Sequence, residues 1–456
     1  MSNPQEMQAY RTKLFQDVYN NVIPDRVPIQ VSLCKEVVAE LCGMDVREMN
    51  WNVPMLGGVA DQICQKVYSD ICPVNFFSTR FINQYEMSGS KSFKMSQTGF
   101  VQHPELSGMT VEDYDYLIEK PLDCLIERVI PRLFDGLNNP ENPMLNAMTL
   151  AKTVAARNGD MFPVFGIQGR LNGQYGYYAP NGMARAMTTA PFDFIADQLR
   201  GFSQIPMDMR RNKEKLLAAV DAVYPLMVKA GIPAMLTPDA CAYSFLHMPT
   251  FMRTKDFENF WWPSFLKMCN ELASMGIRTE TFCEDDWTRY LDYLQELPAG
   301  TMINFEYGDM KLIKEKLGKK MIITGLYPLT LLKTGTKDQC LDKAKEMLDI
   351  LAPGGNFIFN FDKVIITAGS VNLDNLCAVT EYVRDNSKYS NAGQTAGIPF
   401  RKEDYHVDPT PFPESRYYKT AQDYMAGNPL MTPTGAAKLQ AQDDALYSFM
   451  ISQFLF

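Results

Sequence analysis

GIRTETFCEDDWTRY, residues 276–290, reads as a short strand (Ile277–Phe282) that delivers Cys283, Glu284, Asp285 and Asp286 in succession before Trp287 opens a helix. One thiol and three carboxylates at the C-terminal end of a strand are how a parallel α/β enzyme presents its chemistry. The competing reading is a helix N-terminus, where acids complement the dipole and cap free N–H groups. It applies best to Asp285 and Asp286, which leaves Cys283 and Glu284 as the functional candidates.

Working outward, three strand patterns follow: Met302–Phe305 ending at Glu306, Lys320–Thr324, and Asn356–Asn360 ending near Asp362. Helical patterns at Asp309–Leu317 and Lys337–Leu351 separate them. Upstream strand candidates are Val27–Ser32, Pro73–Phe77, Phe162–Ile167 and Pro233–Thr237, the last ending near Asp239. Helical patterns cover residues 1–23, Lys35–Leu41, Gly57–Tyr68, Val111–Leu137, Pro191–Phe202 and Lys213–Ala230. Ser88–Leu106 is polar and Gly-punctuated, a long loop that carries His103. The Gly- and Tyr-rich stretch from Gly169 to Gly182 lacks the Lys-Ser/Thr pair of a phosphate-binding loop.

Strands alternating with helices predict a parallel sheet, and about eight such units predict a closed (β/α)8 barrel. A dinucleotide-binding sheet would place a Gly-rich turn after its first strand, yet no glycine follows Ser32 until Gly43. The expected organisation is an α/β TIM barrel with N-terminal helical additions over residues 1–385. A C-terminal arm and helix occupy 386–456. The arm is rich in Pro, Gly, Asn and Tyr, and the helix (Gly435–Phe454) ends apolar, so it docks on its own chain or on a partner subunit.

The 456 residues are 46% hydrophobic and 21% charged, enough for a large core. A net charge of −9 argues against nucleic acid as a partner. No apolar run approaches the roughly 20 residues of a membrane span, and MSNPQEMQAYRTKLF lacks the pattern of a secretion signal. Ten cysteines without CxxC pairs read as reduced thiols. A cytoplasmic location is the expectation.

If the barrel closes, Asp239, Cys283, Glu306 and Asp362 converge on one mouth. Buried together, carboxylates take raised pKa values or demand a cation, and a thiolate with carboxylates suits zinc. AGIPAMLTPDA, FMRTKDFENFWWPSFLKMC, TETFCEDDW, ITGLYPLTLLKTGT, GGNFIFNFDK and VNLDNLCAVTEYV, in that order, resemble the uroporphyrinogen decarboxylase superfamily. The resemblance covers residues 160–385, and the superfamily includes the corrinoid-linked methyltransferases.

The departures select a branch. The decarboxylases carry an arginine-rich segment after the first strand, where this chain has VSLCKEVV with only Lys35. Zinc methyltransferases of the family carry His-x-Cys at the fifth strand and a later Cys near the eighth. Here Thr281-Phe282-Cys283 keeps only the Cys, and residues 360–363 supply none. Glu284-Asp285-Asp286-Trp287 resembles the E-G-D-W element of the branch that demethylates methoxylated compounds.

The resemblance therefore implies methyl transfer from a small methylated donor, such as an aryl methyl ether, to the cobalt of a corrinoid protein. Glu284, Glu306 and His247 are the candidate acids, with Asp239 orienting. Tyr175, Tyr177 and Tyr178 are candidates to wall an aromatic ring, and Asn360 to bind substrate. Cys283 with Glu306 is the candidate zinc pair. No membrane partner is expected, and a homo-oligomer is left open. Two alternatives stand beside this reading. A decarboxylase would need cationic clamps, for which only Arg170, Arg185 and Lys363 offer themselves, and a non-catalytic corrinoid-binding protein would need none of the acids.

Overall fold

In the computed structural model of the protein, residues 3–76 and 80–456 are described. A short antiparallel hairpin joins β1 (Lys94–Met95) to β2 (Val101–Gln102). Six strands then run parallel in chain order: β3 (Arg185–Thr189), β4 (Cys241–Leu246), β5 (Arg278–Asp286), β6 (Met302–Tyr307), β7 (Ile322–Tyr327) and β8 (Asn360–Phe361).

Two sparsely bonded segments close the ring. Residues 27–33 lie beside β8, with the Gln30 N–H donating to Phe359 O (2.9 Å) and the Phe359 N–H to Pro28 O (2.9 Å). Their other edge meets residues 69–75, where the Asp70 N–H donates to Ile29 O and the Leu33 N–H to Pro73 O, both 2.9 Å. The Tyr178 N–H reaches Asp70 O at 2.8 Å, joining these residues to the segment before β3. Pro28 and Pro73 lack N–H donors, which keeps both ladders short. The result is an α/β fold with parallel strand positions around a (β/α)8 barrel.

Alternation along each strand sorts the side chains. Met302, Ile322 and Ile358 pack together in the interior with Phe15 and Tyr178. On the same interior face, Arg185 forms an ion pair with Glu280. Register pairs Phe245 with Phe282 and Phe282 with Asn304. The barrel's stagger advances two residues per alternate strand, so Phe245, Glu306 and Asp362 form one interior layer, with Asn304 and Asn360 in the layer below.

Two expected strands are absent. Phe162–Ile167 lies inside a helix spanning Pro143–Tyr175, which continues through Pro163 and ends at Gly176 (φ 62°). Pro233–Thr237 forms a turn with Met235 and Leu236 exposed, and the strand begins only at Cys241. The strand β3 had no counterpart among the sequence-based expectations. Of the expected strand Pro73–Phe77, Val74 pairs with Leu33, and Phe77 lies outside the described residues.

The arm folds back along the barrel. The Tyr389 N–H donates to Asp25 O and the Ile398 N–H to Lys319 O, and Phe400 lies 4.8 Å from the Arg278 guanidinium. The last helix, Pro433–Phe454, docks on its own chain. Phe454 packs on Phe134 with ring centroids 4.4 Å apart, and Phe456 meets Phe194 and Phe245 edge-on at 6.0 and 6.2 Å. Among the described residues, no helix is long and apolar enough to cross a membrane.

Candidate active site

The C-terminal mouth is built on β4, β5, β6 and β8. Leu246 ends β4, and His247 follows at once. Its ring stacks on Phe245 with centroids 4.9 Å apart. His247 Nδ1 lies 3.1 Å from Asp197 Oδ2, and Nε2 lies 3.5 Å from Glu284 Oε2. Its backbone N–H donates to Asp193 Oδ2 (3.0 Å), while Asp193 Oδ1 accepts from the Trp261 indole N–H (2.6 Å).

Both aspartates come from the segment after β3, where Pro191–Asp193 runs into a π-helical stretch, Phe194–Arg200. Such wide turns recur at functional sites because they re-aim side chains. Spaced four apart, Asp193 and Asp197 reach the same histidine, one at its backbone N–H and the other at its ring. Burial alone would depress the His247 pKa, but the Asp197 hydrogen bond and the charges of Asp197, Asp193 and Glu284 raise it overall. Burial pushes Asp193 up to about 7, against the attraction of His247. His103, on the loop beside β2, stacks on Phe93 (4.5 Å) and lies within electrostatic reach of Asp197 and His247.

On the neighbouring strand β6, Glu306 pairs with Lys363, and its Oε2 accepts the Asp285 N–H at 2.9 Å. Burial would raise the Glu306 pKa, but Lys363 and that N–H hold it below the usual range. Glu306 is therefore a charged anchor and a poor proton donor, contrary to the acid role expected from sequence. The backbone beside it is strained. Asp285 on β5 and Leu326 on β7 both adopt left-handed conformations (φ 60° and 70°), as does Gly325 (φ 84°). A left-handed leucine within a strand costs free energy and persists only where its surroundings enforce it. A Cβ on Gly325 would collide with Asn304 Oδ1 and the Phe305 carbonyl. Gly325→Ala is thus expected to cost about 2 kcal/mol of stability, read by denaturant unfolding.

Other expected site residues lie elsewhere. Asp239 precedes β4, so it sits at the N-terminal end of the barrel, lining a small cavity with Tyr19, Tyr178, Arg185 and Arg278. It cannot orient a group at the mouth. Tyr178 stacks on Phe15 (4.5 Å) at that same end, Tyr177 is buried with its hydroxyl on Cys64 O, and the Tyr175 hydroxyl donates to Asp61 on the outer surface. None of the three walls the mouth, because the helix runs to Tyr175 where a loop was expected. Asn360 does face the interior, and its Oδ1 accepts the Phe361 N–H.

Cys283 has the opposite parity from Glu284. It is fully buried against the helix layer, and burial pushes its thiol pKa up. Cys283 and Glu306 therefore point to different sides of the sheet, and this pair does not fit a zinc ion. Among the described residues, no three His, Cys, Asp or Glu side chains converge in a geometry able to hold a metal ion.

Asp193 and Asp197 were absent from the sequence-based candidates. Their signal was present in PFDFIAD, two acids four apart in an otherwise apolar helix start.

Residues 183–386 match the family model described as uroporphyrinogen decarboxylase. The matched span takes in β3 to β8 and stops at Asn386, the last residue of the helix Leu373–Asn386. It supports placement in the uroporphyrinogen decarboxylase superfamily, whose members are mostly enzymes and share the TIM barrel. No match is found among curated proteins.

The cations a uroporphyrinogen decarboxylase would aim at its substrate are engaged here. Lys35 is buried against Glu36 and Asn50. Arg170 pairs with Asp61 on the outside, and Arg185 pairs with Glu280 at the far end of the barrel.

Proposed function

We propose that the protein is a methyltransferase that moves a methyl group from a small methyl ether, such as a methoxylated arene, to the cobalt of a corrinoid on a partner protein. The observation that carries this reading is the His247 imidazole, held between Asp197 and Glu284 at the C-terminal end of the strands, with neighbours that raise its pKa. The corrinoid supplies the nucleophile that takes the methyl group. What the barrel has to supply is a proton for the departing oxygen as the methyl carbon–oxygen bond breaks. Protonated at Nε2, His247 can give that proton, and Asp197 holds the ring by Nδ1. Glu284 lies on the Nε2 side, placed to steady the imidazolium before transfer. Phe251, Tyr307 and Ile366 are exposed around the mouth, an apolar rim suited to a partner that delivers a large macrocycle.

A decarboxylase remains the second reading, favoured by the family match itself. It is disfavoured by the engagement of Lys35, Arg170 and Arg185 in other pairs. The test mixes the purified protein, a reduced corrinoid protein and a panel of methyl ethers, and follows the cobalt absorption. Transfer from at least one ether is expected, and undiminished transfer after metal chelation. Absence of transfer with every donor would set the reading aside.

A further inference from the structure

The helix Pro143–Tyr175 lies on the outside of the molecule and buries one side only, with Thr153, Val164, Gln168 and Leu171 turned inward. Its central charges turn towards the chain's own body as well. Asp160 accepts the Asn83 amide at 2.6 Å, and the Arg157 guanidinium lies 5.9 Å from the Phe449 ring centroid. The outward side of a surface helix is ordinarily its charged and polar face. Here every exposed residue between Lys152 and Arg170 is uncharged. Met144, Met148 and Phe162 stand 69%, 49% and 63% exposed on it. Two elements packed against this helix, Val53–Gly58 and Ile82–Ser88, expose Met55 and Met87 in addition.

Four glycines interrupt the same helix, and Gly159, Gly166, Gly169 and Gly173 all fall on the exposed side. A Cβ at any of them would meet no described atom within 4 Å. Packing within the chain therefore does not call for glycine at these positions, and only proline is a poorer helix former. What their missing side chains permit is the close approach of another backbone from outside.

We propose that this face is the interface of a homodimer, in which the helix packs antiparallel against the same helix of a second copy. The register is written in the sequence. A twofold axis beside Asn158 and Gly159 sets Met144 and Met148 against Gly173 and Gly169 of the second copy. The same axis sets Ala151 and Ala155 against its Gly166 and Phe162. All eight positions lie on one stripe at helical spacing, and each large side chain meets a small residue. The matching is reciprocal, as an isologous contact requires, and an unrelated partner would have no cause to fit it. Antiparallel packing also brings each helix N-terminus to the C-terminus of its mate, so the dipoles attract. The stripe is about 45 Å long and about 10 Å wide, so it covers roughly 450 Å² on each copy and roughly 900 Å² in all. That is close to the roughly 1,000 Å² at which a specific contact begins, and it describes a dimer that dissociates on dilution.

Sedimentation velocity of the purified protein from about 1 to about 100 µM tests this directly, since a contact of that size should be populated within the range. The wild type should sediment as a dimer at the upper end. Ala155→Glu would set a carboxylate against Phe162 of the second copy, close to the axis. Gly166→Leu would fill the space that Ala151 of the second copy enters. Both positions are exposed, so each variant should keep its fold, with thermal melting as the check. Each should raise the dissociation constant by at least about tenfold. A wild type that remains monomeric at about 100 µM overturns the proposal. So does a dimer that persists unweakened in both folded variants.

Discussion

Replacing His247 by glutamine is expected to slow methyl transfer by about 10²–10⁴-fold, the usual contribution of a placed proton donor. Glutamine keeps a polar side chain beside Asp197 but has no proton to give. The pH dependence makes the test sharper. The His247 pKa lies above its ordinary value, because Asp197, Asp193 and Glu284 outweigh the burial that opposes charge. The active imidazolium therefore persists to higher pH than that of an ordinary histidine and is lost as pH rises through its titration, so the rate should fall on the alkaline side. Asp197→Asn removes the partner that raises the value most. Its profile should break at lower pH than that of the wild type, and His247→Gln should show no such break. An unchanged rate in His247→Gln would remove His247 from the chemistry, whatever the structure around it.

The path from sequence to this site ran unevenly, for physical reasons. The helices Lys35–Leu41, Lys213–Ala230 and Lys337–Leu351 were read to the residue, because one apolar stripe per helix faces the sheet. The strands β5 and β6 were legible because Gly276 and Gly300 each precede a short segment of apolar, Thr and aromatic residues that ends in an acid. Phe162–Ile167 has the composition of a strand, but its neighbours on both sides have helical spacing, and a single proline did not stop a helix of 33 residues. In contrast, β3 reads Arg-Ala-Met-Thr-Thr, and nothing local shows that Arg185 will be neutralised by Glu280 from two strands away.

The error at Pro233–Thr237 had the largest consequence. Pro233 and Pro238 both lack the N–H a ladder needs, and shifting the strand to Cys241 moved Asp239 from one end of the barrel to the other. Cys283 failed for a smaller reason, since alternate residues of a strand face opposite sides and its neighbour Glu284 took the interior. Two of the expected acids, Glu284 and Glu306, do meet at the mouth. The group that completes them is the Asp193–Asp197 pair, supplied by the segment after the strand that sequence did not reveal.

Asp193→Ala is expected to be the most damaging single change to stability. Asp193 is 2% exposed and satisfies two donors at once, the Trp261 indole N–H and the His247 backbone N–H. Trp261 is wholly buried in an aromatic cluster with Phe257, Phe265 and Trp287, so its orphaned donor would find no water. Two unsatisfied buried donors cost about 4 kcal/mol together, at about 2 for each. The deficit should depend on pH, and its sign follows from the raised pKa. Below 3.8 the carboxyl is protonated in both folded and unfolded chains and contributes no slope. Between 3.8 and about 7 the unfolded chain has lost that proton while the folded one keeps it, so wild-type stability falls as pH rises across this window. His247, raised as well, adds a decline in the same direction above its ordinary range. The alanine variant lacks the Asp193 contribution, so its deficit should be greatest near pH 4 and should narrow towards pH 8, as the wild type itself comes to bury a charge. Urea unfolding of both proteins across that range measures the difference directly, and a deficit that widens with pH would show that Asp193 is ionised in the fold throughout.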